Sequence, residues 1–132
     1  MSLVIRVLIA DDHAGMRRML RQLLEESGDI MVCAEATDGA EAVRLAGETA
    51  PDVAVLDLVM PAVNGIEATQ RIRSHGVATE VVVVSLHLFE GVSRSVLEAG
   101  ARCYLLKNEL PDHLVRAVRT LAHEHRAYIV SS

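Results

Sequence analysis

Aromatic residues are almost missing from this chain of 132 residues: there is no tryptophan, and Phe89, Tyr104 and Tyr128 complete the set. Unpaired nucleic acid is held by aromatic side chains that stack on bases, set along a basic groove. The chain is poor in both, since 13 Lys and Arg residues stand against 18 Asp and Glu, a formal net charge of -5. A domain without a basic face for phosphates binds nucleic acid weakly on its own. Cysteine is scarce as well. Cys33 and Cys103 form no C-x-x-C pair, which points to a reduced, cytoplasmic chain. No apolar run approaches the roughly 20 residues of a membrane span. The apolar N-terminal run is broken by Arg6 and followed by two acids, so it does not read as a signal peptide. Residues 1–3 carry no functional weight and read in part as an expression remnant. There is no internal repeat, linker or low-complexity segment.

What is present is a globular balance, 51% hydrophobic and 23% charged, enough for one domain over residues 1–132. Short apolar runs alternate five times with helical periodicity. Strands are expected over residues 4–10, 31–36, 53–57, 80–85 and 102–106. Helices are expected over 14–27, 40–48, 66–74, 91–99 and 112–123. Asp38 is placed to cap the second helix, and Asn64 to serve the turn before the third. Five βα units with short connections predict a doubly wound α/β fold of flavodoxin-like type. Its strand order is 2-1-3-4-5, with helices on both faces. That order sets the two cysteines on opposite edges, too far apart for a disulfide.

Chemistry collects at the carboxyl ends of the strands, where such sheets bind ligands. The first strand runs into Asp11-Asp12 and the third ends in Asp57. One acid could cap a helix or open a turn. Three exceed that need, and they crowd negative charge unless a cation neutralises it. Mg²⁺ suits such a site, and a carboxylate can then attack an activated phosphoryl group. Such a reaction also needs a hydroxyl and a cation for the phosphoryl oxygens. Ser85 ends the valine run of the fourth strand, and Lys107 follows the fifth. Each alone could be a loop serine or a surface lysine.

The segments IADDH (9–13), LDLVMPAVNG (56–65), VVVVSLH (81–87) and GARCYLLK (100–107) resemble, in content and spacing, the receiver domain of two-component response regulators. The likeness runs over nearly the whole chain. The NarL/FixJ-type (LuxR-like) subgroup is the nearest match, through IADDH, YLLK and LVRAVRTLAHEHRAYIVSS. The resemblance implies that Asp57 is the phosphoacceptor. Asp11 and Asp12 hold Mg²⁺, Asp12 more directly, together with Asp57 and the backbone carbonyl of Val59. Ser85 is the switch hydroxyl, Lys107 the phosphate-pairing lysine and Tyr104 the switch aromatic, which rotates toward the fourth strand. His87 is a modulator, and with Val59 it influences how readily water reaches the aspartyl phosphate. The partner is a sensor histidine kinase, docking on the first helix, and a homodimer can follow phosphorylation. Members continue into a helix-turn-helix domain that contacts DNA. Residues 126–132 read as the start of a linker to such a domain, and truncation before it is expected ahead of a stand-alone receiver.

Other classes stay in view. An aspartyl-phosphate phosphatase needs an Asp-x-Asp after its first strand, and a flavin module needs a Ser/Thr/Gly-rich phosphate loop there. Asp-Asp-His suits neither. A receiver acting without phosphorylation is the third alternative. The expected activity is a switch that catalyses only its own phosphorylation and dephosphorylation. The six histidines show no zinc spacing, and His123-x-His125 reads as a solvated helix end.

Overall fold

The computed structural model describes the backbone of residues 4–75, 78–87 and 89–131, with side chains up to residue 125. Strands and helices alternate as β1 (Ile5–Ala10), α1 (Ala14–Glu25), β2 (Ile30–Ala36), α2 (Gly39–Thr49), β3 (Val53–Asp57), α3 (Gly65–Ser74), β4 (Glu80–Ser85), α4 (Val92–Glu98), β5 (Cys103–Leu106) and α5 (Leu110–Ser131). A 3-10 turn over Lys107–Glu109 leads into α5. All five strands are parallel, in the expected order β2-β1-β3-β4-β5.

The strand period of two divides the core. Ile5, Val7 and Ile9 of β1, Val53 and Val55 of β3, and Val82 and Val84 of β4 pack under α1 and α5. Leu8, Ala10, Ala54, Leu56, Val81 and Val83 pack under α2, α3 and α4. Both faces are covered, so the inner strands are apolar over Val7–Ala10, Val53–Leu56 and Val81–Val84. Each fully buried Val, Leu or Ile contributes roughly 1.5–3 kcal/mol. The sheet therefore holds its polar strand ends on a rigid base.

β2 departs from this regularity. Its register with β1 slips between Val7 and Leu8, pairing Val7 with Val32 and Leu8 with Ala34. Cys33 is the extra residue of a bulge. Ile30 and Val32 before it belong to the α1/α5 core, whereas Ala34 and Ala36 after it belong to the opposite one. The switch turns Glu35 toward α1. Cys33 and Cys103 are free thiols on opposite edge strands.

Side-chain caps open α2 and α3. Asp38 accepts the Glu41 amide at 2.8 Å, and Asn64 accepts the Glu67 amide at 2.9 Å. Asn64 is thus a helix cap as well as a turn residue. Gly100, at φ +112°, ends the α4 region in a backbone conformation that side-chain-bearing residues avoid.

α5 is where expectation fails. Its backbone stays helical through Ser131, well past residue 123 and through most of the stretch read as a linker. No Gly or Pro interrupts residues 124–131, and tertiary contacts hold the added turn. Glu124 meets Arg102, just before β5, at 2.7 Å, and Nε2 of His125 lies 3.5 Å from Asp52, just before β3. His123 is exposed, as expected, but His125 is buried.

At the other side of α5, Arg119 donates two hydrogen bonds of 2.9 Å to Asp29. These bonds hold the Asp29 carboxyl down to about 2. An unfolded-chain Asp titrates near 4. The stabilisation is therefore complete above about pH 4 and is lost as the pH falls toward 2. Both side chains are partly exposed, so salt also weakens it. Arg119→Ala should lower stability at about pH 5 and have little effect at about pH 2. Urea melts of both proteins at the two pH values check this.

Candidate functional site

Register carries four strand ends to one place. Ala10 pairs with Leu56, so Asp11 follows β1 beside Asp57. Asp57 pairs with Val84, and Ser85 with Leu106, so Ser85 and Lys107 complete the row. Asp11, Asp57 and Ser85 are buried, whereas Asp12 is exposed at the rim. A cavity of about 210 Å³ opens above them, lined by Asp12, His13, Asp57, Val59, Ser85, Leu86, His87, Phe89 and Lys107.

Lys107 Nζ lies 3.2 Å from Asp11 Oδ2 and 3.4 Å from Asp57 Oδ2. One ammonium thus serves two buried carboxylates. Burial, and after it the charge of Asp11, pushes the Asp57 carboxyl above the usual carboxylate range; Lys107 and the Val59 amide act against the shift. The Val59 amide donates to Asp57 Oδ1 at 3.4 Å. Asp57 therefore has its two oxygens under different control, one held by backbone and one facing the lysine.

Helix capping does not explain the acids. The cap position of α1 is His13, whose side chain makes no capping bond. Asp11 Oδ1 accepts the His13 amide at 2.8 Å, which occupies one oxygen of one acid. The donor set suits a divalent ion instead. One atom from each of Asp11, Asp12, His13 and Asp57 can be chosen so that all four lie within 4.8 Å of one another. Three carboxylates against one ammonium leave negative charge that a hard cation neutralises. His13 was not among the expected ligands. For the expected Val59 carbonyl, the supporting fact is that Val59 lines the same cavity.

Ser85, Tyr104 and His87 form a second group. The Ser85 hydroxyl donates to the His87 carbonyl at 3.1 Å and accepts the His87 amide at 3.3 Å. The Tyr104 hydroxyl donates to that same carbonyl at 3.1 Å. Tyr104 already reaches the end of β4, before any rotation. What His87 brings to Ser85 and Tyr104 is its backbone. Its exposed ring meets Phe89 edge-on, with centroids 6.0 Å apart.

Several supporting residues went unread in the sequence. Arg17 donates to the Asp11 carbonyl at 2.8 Å and pairs with Glu35 at 3.3 Å. Arg21 holds Glu35 as well, at 2.7 Å. The β2 bulge that presents Glu35 leaves no pattern that periodicity would catch. Phe89 was noted only as a rare aromatic. A signal for Lys107 was available and unused: it is the only lysine, the other 12 basic residues being arginine.

Gly65 shows how closely Asp57 is packed. A Cβ added there would lie 2.5 Å from the Asp57 carbonyl oxygen and 2.9 Å from Leu58 Cα. Backbone atoms cannot turn aside, so Gly65→Ala should cost about 1–3 kcal/mol and shift the end of β3. Chemical denaturation measures the cost.

Comparison with known proteins agrees with this geometry. The response regulator receiver domain family matches residues 7–119. The transcriptional regulatory protein LiaR of Bacillus subtilis is 42% identical over 116 residues, covering 88% of this chain and 55% of LiaR. The response regulator UvrY of Escherichia coli is 34% identical over 128 residues, covering 97% of this chain and 58% of UvrY. The chain therefore spans a little over half the length of these curated relatives. Among solved structures, a LuxR-family two-component response regulator from Aurantimonas superposes with a TM-score of 0.86 at 36% identity. That match covers 92% of this chain and 86% of the other. The chain belongs to the receiver domains of two-component response regulators, within the NarL/FixJ-type, LuxR-like subgroup.

Proposed function

We propose that Asp57 accepts a phosphoryl group and that its arrival changes the β4–α4–β5–α5 face. The observation that carries this reading is Lys107 shared between Asp11 and Asp57, two buried carboxylates at one sheet edge. An Asp57 oxygen attacks phosphorus in line. A new P–O bond forms as the donor's bond to phosphorus breaks, and the electron pair leaves with the donor. Asp11 and Asp12 would hold Mg²⁺, Asp12 directly, with Asp57 and the Val59 carbonyl completing the protein's share. The ion neutralises the charge on the transferring oxygens.

Lys107 is already 3.4 Å from Asp57 and pairs with a phosphoryl oxygen once it is attached. Ser85 exchanges its bond to the His87 carbonyl for a bond to phosphate. Released by Ser85, the loop after β4 shifts, and Tyr104 rotates into the space this opens beside β4. His87 and Val59 flank the path of attacking water and so tune how long the phosphate lasts. A complete shift between two states, from 1:99 to 99:1, needs about 5.5 kcal/mol. New charge-assisted contacts supply energy on that scale.

The phosphoryl source is a sensor histidine kinase that docks on α1, in the cytoplasm. The switched face supports homodimerisation. The output is transcriptional control through a C-terminal helix-turn-helix domain, which makes the contacts with DNA. The turnover of this chain is confined to its own phosphorylation and dephosphorylation. Incubation with acetyl phosphate, followed by intact-mass measurement, tests the reading. One phosphoryl group should add in Mg²⁺ and none in EDTA. Uptake that ignores the ion, or no uptake, contradicts it.

A further inference from the structure

We propose that His13 supplies a nitrogen ligand to the divalent ion at this site, so that the site favours Mn²⁺ over Mg²⁺ by more than its oxygen donors alone would. The inference rests on the metal-assisted reading above and adds a ligand to it.

The backbone of His13 is fixed. Its amide donates to Asp11 Oδ1 at 2.8 Å, and its carbonyl accepts the Arg17 amide at 3.1 Å in the first turn of α1. Its ring Nδ1 lies 3.1 Å from Asp12 Oδ1 and 3.2 Å from Asp11 Oδ1. Neighbouring ligands of an octahedral ion stand about 3 Å apart when metal–ligand bonds are near 2.1 Å. The imidazole nitrogen and the two carboxylate oxygens thus already stand at the spacing of adjacent ligands. The ring is 73% exposed, so little packing has to be broken for it to turn toward an ion.

Neighbouring charges leave this role to His13. Lys107 pairs with Asp11 Oδ2, the oxygen that His13 does not contact. Arg17 is drawn off to the Asp11 carbonyl and to Glu35. His13 is the only nitrogen donor in the four-residue cluster among the described residues. Mg²⁺ keeps to oxygen and water; Mn²⁺ also takes oxygen donors but, as a transition ion, accepts an imidazole nitrogen more readily than Mg²⁺ does. A nitrogen at one vertex therefore improves binding of Mn²⁺ more than binding of Mg²⁺.

Pulsed electron paramagnetic resonance of the Mn²⁺-loaded protein tests this directly. The native protein should show modulation from directly bound imidazole ¹⁴N, and His13→Asn should lack it. Titration calorimetry of both proteins should show Mn²⁺ affinity falling about 10-fold more than Mg²⁺ affinity in the variant. Absence of the ¹⁴N signal from the native protein, or an equal loss for both ions, would overturn the assignment. Phosphoryl uptake in Mg²⁺ by the native protein is a separate measurement. It can succeed while His13 fails as a ligand, so failure of the two readings is distinguishable.

Discussion

Lys107→Ala should cost the metal-free protein about 3 kcal/mol, because it leaves two buried carboxylates with no cation. The same change should slow phosphoryl uptake by on the order of 100-fold, since a preorganised positive charge no longer meets the phosphoryl oxygens. Mg²⁺ separates the two effects. The ion replaces the missing charge beside Asp11 and Asp57, so most of the lost stability should return in Mg²⁺. The rate should not return, because the ammonium that would pair with the phosphoryl oxygens is still missing. Urea melts with and without Mg²⁺, set beside a time course of labelling, check both halves. Equal destabilisation in the two conditions would mean that the lysine acts through packing of its stem.

Asp57→Asn should stabilise the metal-free protein. Its carboxyl is pushed up by burial first and by Asp11 second, so holding it ionised at neutral pH costs folding free energy. Asparagine keeps the shape and removes the charge. The gain should appear as a higher Tm for the variant than for the native protein in the absence of Mg²⁺. Mg²⁺ should then stabilise the variant much less than the native protein, because one of the carboxylates that attract it is gone. The two substitutions are coupled through a shared contact. Lys107→Ala should cost less in the Asp57→Asn background than alone, which a double-mutant cycle of melts would show.

Much of this site could be read before any coordinates. Asp57, Ser85 and Lys107 each end or follow a short apolar run, and a five-unit βα pattern leaves one sensible strand order. That order alone makes neighbours of the acids. Periodicity reports which residues face a core, so it finds strand ends well. It is blind to single-residue irregularities. The extra residue at Cys33 turns Glu35 toward Arg17 and Arg21, and thereby fixes the Asp11 carbonyl. Nothing in the apolar pattern marks it. Side-chain direction is equally hidden. Ser85 and Tyr104 were both read as switch residues, but their meeting on the His87 carbonyl depends on two rotamers. The end of α5 was missed for another reason. Helix stops are read from Gly and Pro, and the contacts of Glu124 and His125 come from Arg102 and Asp52, loop residues far away in sequence.

The central claim is that Asp57 is where phosphate is stored. Intact-mass measurement after acetyl phosphate treatment in Mg²⁺, run side by side on native protein and Asp57→Asn, tests it most directly. The native protein should gain the mass of one phosphoryl group and the variant none. A variant that gains the same mass as the native protein would contradict the assignment.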